Sequence, residues 1–139
     1  MPDRKDDPSW GLTPFQRSLG LRWARPPAPQ SLAIELDIRP DLCGPAGSLE
    51  GGVVSTLADV AGASCAAMNL TSQLVATQDM SISFLAPGRV GPIRATAEPL
   101  RVGRTNAVVE VRVIDTGKDD RLIAVALLTA TVLDRPPGQ

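Results

Sequence analysis

The chain has 139 residues, 14 basic and 15 acidic side chains, a net charge of −1 and no histidine. That length suits one domain, since domains usually run to roughly 100–150 residues. The balanced charge and the four aromatic residues, Trp10, Phe15, Trp23 and Phe84, exclude a global field or stacking platform for nucleic acid, and the missing histidine excludes His triads, His general bases and His metal sites.

The core must therefore be built from Val, Leu, Ile and Ala. Cys43 and Cys65 are too few for a metal site on their own or for a disulfide framework. Met1 to Ser9 carries no apolar signal region, and the longest apolar run, Leu122 to Leu128, is too short to span a bilayer. The expectation is a cytoplasmic protein that meets neither membrane nor nucleic acid.

Residues 1–13 are expected to form a disordered arm, 14–134 a single domain, and 135–139 a Pro-rich tail. Thr13-Pro14 predicts a helix start, with Thr as cap and Pro at the first helical position, running to about Leu19 and stopping at Gly20. Leu32, Ile34, Leu36 and Ile38 alternate with Ala33, Glu35, Asp37 and Arg39, the period of a half-buried strand, and Pro40 ends it. Gly51 to Asn69 has no alternation and is rich in alanine, which predicts one helix of about five turns. One stripe, with Val53, Leu57, Val60, Ser64 and Met68, follows helical spacing. Another, with Gly52, Ser55, Thr56, Asp59, Gly62, Ala63 and Ala66, is small or polar, so close burial on both sides is expected. The sequon Asn69-Leu70-Thr71 reads as that helix's end.

Four strand-like segments follow. Val75 to Leu85 sets Met80, Ile82 and Phe84 against Thr77, Asp79, Ser81 and Ser83. Val90 to Val102 is interrupted at Pro99, which predicts a bulge or an edge. Asn106 to Ile114 puts Val109, Val111 and Val113 on one face and Glu110 and Arg112 on the other. Arg121 to Leu133 is apolar on both faces at its centre, as in a strand covered on both sides. The order predicts an α+β layer: one long helix against an antiparallel sheet of about five to six strands.

Chemistry is concentrated in Gly47-Ser48-Leu49-Glu50-Gly51-Gly52, followed by Val53 to Asp59. Two glycines at a helix start let a substrate approach bare backbone N–H groups at the positive end of the helix dipole, where a developing oxyanion could be held. Asp59 lies two turns further on among alanines. Partial desolvation there suits a general base or nucleophile, or a structural carboxylate bonded to a loop.

This segment resembles the hotdog-fold acyl-CoA thioesterases of the phenylacetate and 4-hydroxybenzoyl-CoA type. Their pattern is a Gly, then His-Gly-Gly, then a small-residue helix with Leu-Ala-Asp or Leu-Ala-Glu, and Gly47, Gly51, Gly52, Leu57, Ala58 and Asp59 match it. The resemblance continues through Ser83-Phe84-Leu85-Ala86-Pro87 and Val102-Gly103-Arg104 to the last strand. It implies a hotdog fold and hydrolysis of an acyl-CoA thioester to an acid and free CoA, with no metal or redox cofactor. It also implies roles for residues. Asp59 attacks the thioester or activates water, the N–H of Gly51 polarises the carbonyl with Gly52 beside it, and Thr77 orients the water. Arg89, together with the Gly103-Arg104-Thr105 turn, meets the nucleotide phosphates, which suit arginine forks. Relatives form homodimers, often paired into homotetramers, with Asp59 acting across the interface. Two residues depart from the pattern: Glu50 stands in place of His, and Gly44 in place of an Asn or Gln. They leave a non-catalytic acyl-CoA binder on the same fold as the alternative.

Overall fold

The computed structural model describes residues 6–133. The expected tail at 135–139 and the first five residues of the expected arm lie outside the described residues. Residues 6–13 differ from a free arm. The Trp23 amide donates to the Pro8 carbonyl at 2.7 Å, the Trp23 indole donates to the Trp10 carbonyl at 2.8 Å, and Leu12 is buried. Helix α1 (Pro14–Ser18) opens with a reciprocal cap. The Gln16 amide donates to the Thr13 hydroxyl, and the Gln16 side chain accepts the Thr13 amide.

Strand β1 (Arg22–Ala24) is too short to show periodicity, and the sequence reading missed it. Strand β2 (Leu32–Leu36) is followed by a short 3-10 turn at Pro40–Leu42. Helix α2 (Gly51–Leu70) ends one residue later than expected, where Thr71 takes a left-handed φ of 50°. The sequon asparagine is occupied structurally: the Asn69 amide nitrogen donates to the carbonyls of Gln30 and Cys65. Strands β3 (Val75–Phe84), β4 (Ile93–Val102), β5 (Asn106–Asp115) and β6 (Arg121–Val132) complete a six-stranded antiparallel sheet ordered β1-β2-β4-β5-β6-β3.

The sheet packs one face on α2. Ala95, Ala97, Val109, Val111, Val113, Ala124, Leu128 and Ala130 point inward and are fully buried. Small residues on α2 allow the close approach. A Cβ on Gly62 would lie 2.9 Å from Leu128 Cδ1 and 3.2 Å from Val111 Cγ2, so side-chain volume is missing where helix and sheet meet. The interruption expected at Pro99 is a bulge: register shifts between Pro99 and Arg101, and pairing with β2 ends at Ala97, so no ladder needs the missing N–H.

Two expectations are corrected. Met68 is 44% exposed, not part of the core stripe. The outward face of β6 is not covered by the described residues, because α2 shields only one side, and Leu127 is 48% exposed. A point the sequence reading did not raise is that, among the described residues, helix α2 is long and apolar enough by composition to cross a bilayer, and more than half of its apolar window is buried inside this fold.

Candidate active site

The start of α2 is shaped by the loop before it. The Leu49 amide donates to the Gly88 carbonyl and the Glu50 amide to the Leu42 carbonyl, both at 2.9 Å. Glu50 is the N-cap in extended conformation, and its carbonyl accepts from Val53 and Val54. Its carboxylate makes no capping bond. The amides of Gly51 and Gly52 are therefore left without an acceptor among the described residues, as the first turn of a helix dictates. The Phe84 ring rests on Gly51, its Cζ 3.5 Å from where a Cβ would stand. Gly51 separates two grooves. One, of about 350 Å³, runs between Val54, Phe84 and Leu85; the other, of about 540 Å³, runs along Gly44 to Ala46. The two departures from the family pattern are neighbours: a Cβ on Gly44 would lie 3.7 Å from Glu50 Cγ.

Asp59 lies eight residues further on, about 12 Å along the helix axis at 1.5 Å per residue. It is half-buried, and the Thr77 hydroxyl donates to its Oδ1 at 2.6 Å, while Oδ2 has no partner among the described residues. Strict alternation had put Thr77 on the face opposite Met80, Ile82 and Phe84. The structure overturns that. Register shifts between Thr77 and Asp79, so Thr77 pairs with the inward-facing Ala130 and turns toward α2. Gln78 is the extra residue of a bulge, a device that re-aims side chains beside functional sites.

The nucleotide-binding candidates are not gathered in one chain. Arg89 follows β3, where its guanidinium donates to the Ala46 carbonyl at 3.2 Å. Gly103, Arg104 and Thr105 form the β4–β5 turn, with the Gly103 amide donating to Asn106 and the Thr105 carbonyl accepting from Val132 and Thr131. Ten-residue β4 separates the two places by about 30 Å. Cys65 offers no nucleophile, because burial pushes its thiol up to about 11.

Sequence reasoning did not single out Asp115. It is fully buried, and its carboxylate accepts the amides of Arg89, Val90 and Gly91 at 3.0, 3.0 and 2.7 Å. Burial by itself raises a carboxyl's pKa; backbone donors from Val90, Arg89, Gly91 and Gly117 outweigh it and hold Asp115 below the ordinary 3.8. Its position at the end of β5, before a turn, was the available signal.

The thioesterase superfamily model matches residues 46–122, which take in the glycine loop, α2, β3, β4 and β5. ComA2 of Bacillus subtilis, named as a provisional esterase, is 33% identical over 94 residues, covering 66% of this chain and 72% of its own. The 1,4-dihydroxy-2-naphthoyl-CoA hydrolase of Listeria monocytogenes is 27% identical over 100 residues, 71% of this chain and 80% of that one. Among solved structures, AziG of S. sahachiroi superposes with a TM-score of 0.78 at 30% identity, over 88% of this chain and 98% of that chain. The E. coli PaaI protein, from the phenylacetic acid degradation operon, superposes with a TM-score of 0.76 at 18% identity, over 88% and 86% of the two chains, a likeness of fold. The helix-on-sheet architecture is the hotdog fold, and with the family match spanning more than half its length this chain belongs to the thioesterase superfamily of thioester hydrolases.

Proposed function

We propose that the protein hydrolyses an acyl-CoA thioester to a carboxylic acid and free CoA, with Asp59 as general base or nucleophile. The observation that carries this is the Thr77 hydroxyl committed to Asp59 Oδ1 at 2.6 Å, which leaves Oδ2 open. In the general-base form, Oδ2 takes a proton from water held by the Thr77 oxygen. The hydroxide attacks the carbonyl carbon, and the oxyanion rests on the Gly51 amide, with Gly52 beside it. The carbon–sulfur bond then breaks, and the CoA sulfur leaves with the proton from Asp59. As a nucleophile, Asp59 Oδ2 displaces CoA thiolate from the carbonyl carbon to form a mixed anhydride; water opens it to the acid and the Asp59 carboxyl, which gives its proton to the thiolate.

The roughly 12 Å between Gly51 and Asp59 is too long for both to act on one carbonyl within a chain. Strand β3 supplies the remedy: it is a ten-residue sheet edge with no partner on its outer side among the described residues. Two-fold antiparallel pairing of β3 with a second copy sets the Thr77 end of one chain beside the Phe84 end of the other. Asp59 and Thr77 then meet the partner's Gly51. The same symmetry brings Arg89 to the end where the partner's Arg104 lies, so one nucleotide can meet both. The active species is accordingly a homodimer, with tetramers formed by packing two dimers.

Glu50 and Gly44 favour a second reading, a protein that binds acyl-CoA without turning it over. A free-thiol assay across short, branched, long and aromatic acyl-CoAs separates the two. Thiol release from at least one supports hydrolysis. Release from none, with tight binding by calorimetry, supports the binder.

A further inference from the structure

We propose that Asp115 is a positioning residue for the thioester carbonyl, acting through the turn at residues 88–91 on the loop that presents the Gly51 amide. This rests on Gly51 as carbonyl donor, the reading given above.

Asp115 touches no groove beside Gly51. It accepts three consecutive amides, Arg89, Val90 and Gly91, and so fixes the backbone of that turn. A Cβ on Gly117 would collide with the Gly91 carbonyl and the Val90 side chain, so the β5–β6 hairpin presses on the same turn. The clamped turn reaches the glycine loop through two bonds. The Gly88 carbonyl accepts the Leu49 amide at 2.9 Å, two residues before Gly51, and the Arg89 guanidinium donates to the Ala46 carbonyl at 3.2 Å. Gly88 is itself buried, a Cβ there standing 3.1 Å from Ile123 Cδ1 and 3.2 Å from Ile93 Cδ1. A backbone donor stabilises an oxyanion only when aimed at it beforehand, and a misplacement of roughly 1 Å can cost about a hundredfold in rate. The loop's other backbone ties beside Gly51, the Glu50 amide to the Leu42 carbonyl and the Cys43–Leu49 bridge, are to residues 42 and 43, so the two bonds from the 88–91 turn are what seat it against the start of β4, and an unclamped turn passes part of its freedom to that amide.

The test compares Asp115→Asn with Asp115→Ser. Asparagine turns an –NH2 donor toward amides that are themselves donors; serine keeps one acceptor and leaves room for water. Val109→Ala, a fully buried core change on β5 six residues along the strand from Asp115, serves as a control for general destabilisation. Each variant is assayed at a temperature where circular dichroism shows it folded, and hydrogen exchange is followed peptide by peptide. The proposal expects kcat to fall about ten- to a hundredfold with KM within about threefold. It also expects faster exchange confined to residues 44–52 and 88–91, with neither change in Val109→Ala. It is overturned by unchanged exchange at 44–52, by exchange that rises evenly over the sheet, by an unaltered kcat, or by failure of both variants to fold. If the wild-type protein cleaves no acyl-CoA, the hydrolase reading fails by itself; the exchange arm still decides whether Asp115 holds the loop.

Discussion

Gly62 offers a test of how the helix is seated, because two effects of known sign oppose each other there. Alanine in a helix interior is favoured over glycine by about 1 kcal/mol. The new methyl, however, would stand 2.9 Å from Leu128 Cδ1, 3.2 Å from Val111 Cγ2 and 3.3 Å from Leu128 Cβ. Leu128 and Val111 are fully buried and cannot swing away, so overpacking costs about 1–3 kcal/mol. Gly62→Ala is therefore expected to destabilise by about 1 kcal/mol. Leu128→Ala alone should cost about 3 kcal/mol through its cavity. In that background the 2.9 Å contact is gone and the remaining neighbours, Val111 Cγ2 and the residue-128 Cβ, can give by a few tenths of an ångström into the vacated space, so Gly62→Ala should stabilise by about 1 kcal/mol through helix propensity. The sign reverses, and the coupling is about 2 kcal/mol. Urea unfolding of the four proteins at one fixed protein concentration measures it, since stability of an oligomer depends on concentration. An effect of the same sign and size in both backgrounds would show that Gly62 does not meet Leu128.

Three further outcomes are expected. Thr77→Ala removes a hydrogen bond to a carboxylate, worth about 1.5–3 kcal/mol when the partner is charged, and should lower kcat about tenfold or more; Thr77→Ser should stay near wild type. Equal loss in both variants would mean that the methyl matters, not the hydroxyl. Glu50→His should keep or raise thiol release if Glu50 is a degenerate substitute for the family histidine, whereas a collapse in rate would give the carboxylate a role of its own. Because the pKa of Asp115 is depressed in the folded state, its contribution to stability is present above the unfolded carboxyl value of about 4 and is lost as pH falls below it. Urea midpoints from pH 7 to pH 3 should therefore fall more for wild type than for Asp115→Asn; parallel curves would contradict the amide-clamped carboxylate.

Much of this molecule is legible in the sequence, and the reasons it is not fully so are local. Alternation located β2 and β5 because one face of each strand meets α2, a run apolar on both faces located β6, and the unbroken alanine-rich stretch located α2 because no strand period interrupts it. Three-residue β1 carries too few side chains for any period. Thr77 is the instructive failure. Period-two reasoning turns it away from the helix, yet a single extra residue at Gln78 turns it toward Asp59, and nothing in Ala76-Thr77-Gln78-Asp79 announces that bulge. The glycine loop was found by composition and likeness, and the free Gly51 and Gly52 amides follow from how any helix begins. Asp115 escaped notice because it is held by backbone amides, three of them 24–26 residues away, which no side-chain pattern records. Arg89 and Arg104 look like one site in sequence, while strand length sets them at opposite ends of the sheet.

Thiol release by Asp59→Asn, measured on the acyl-CoA that wild type cleaves fastest, bears most directly on the site. With the secondary structure and oligomer size of wild type retained, kcat should fall at least about a hundredfold, the scale of a positioned acid–base group. A folded Asp59→Asn enzyme within a few-fold of wild type would remove that carboxylate from the chemistry.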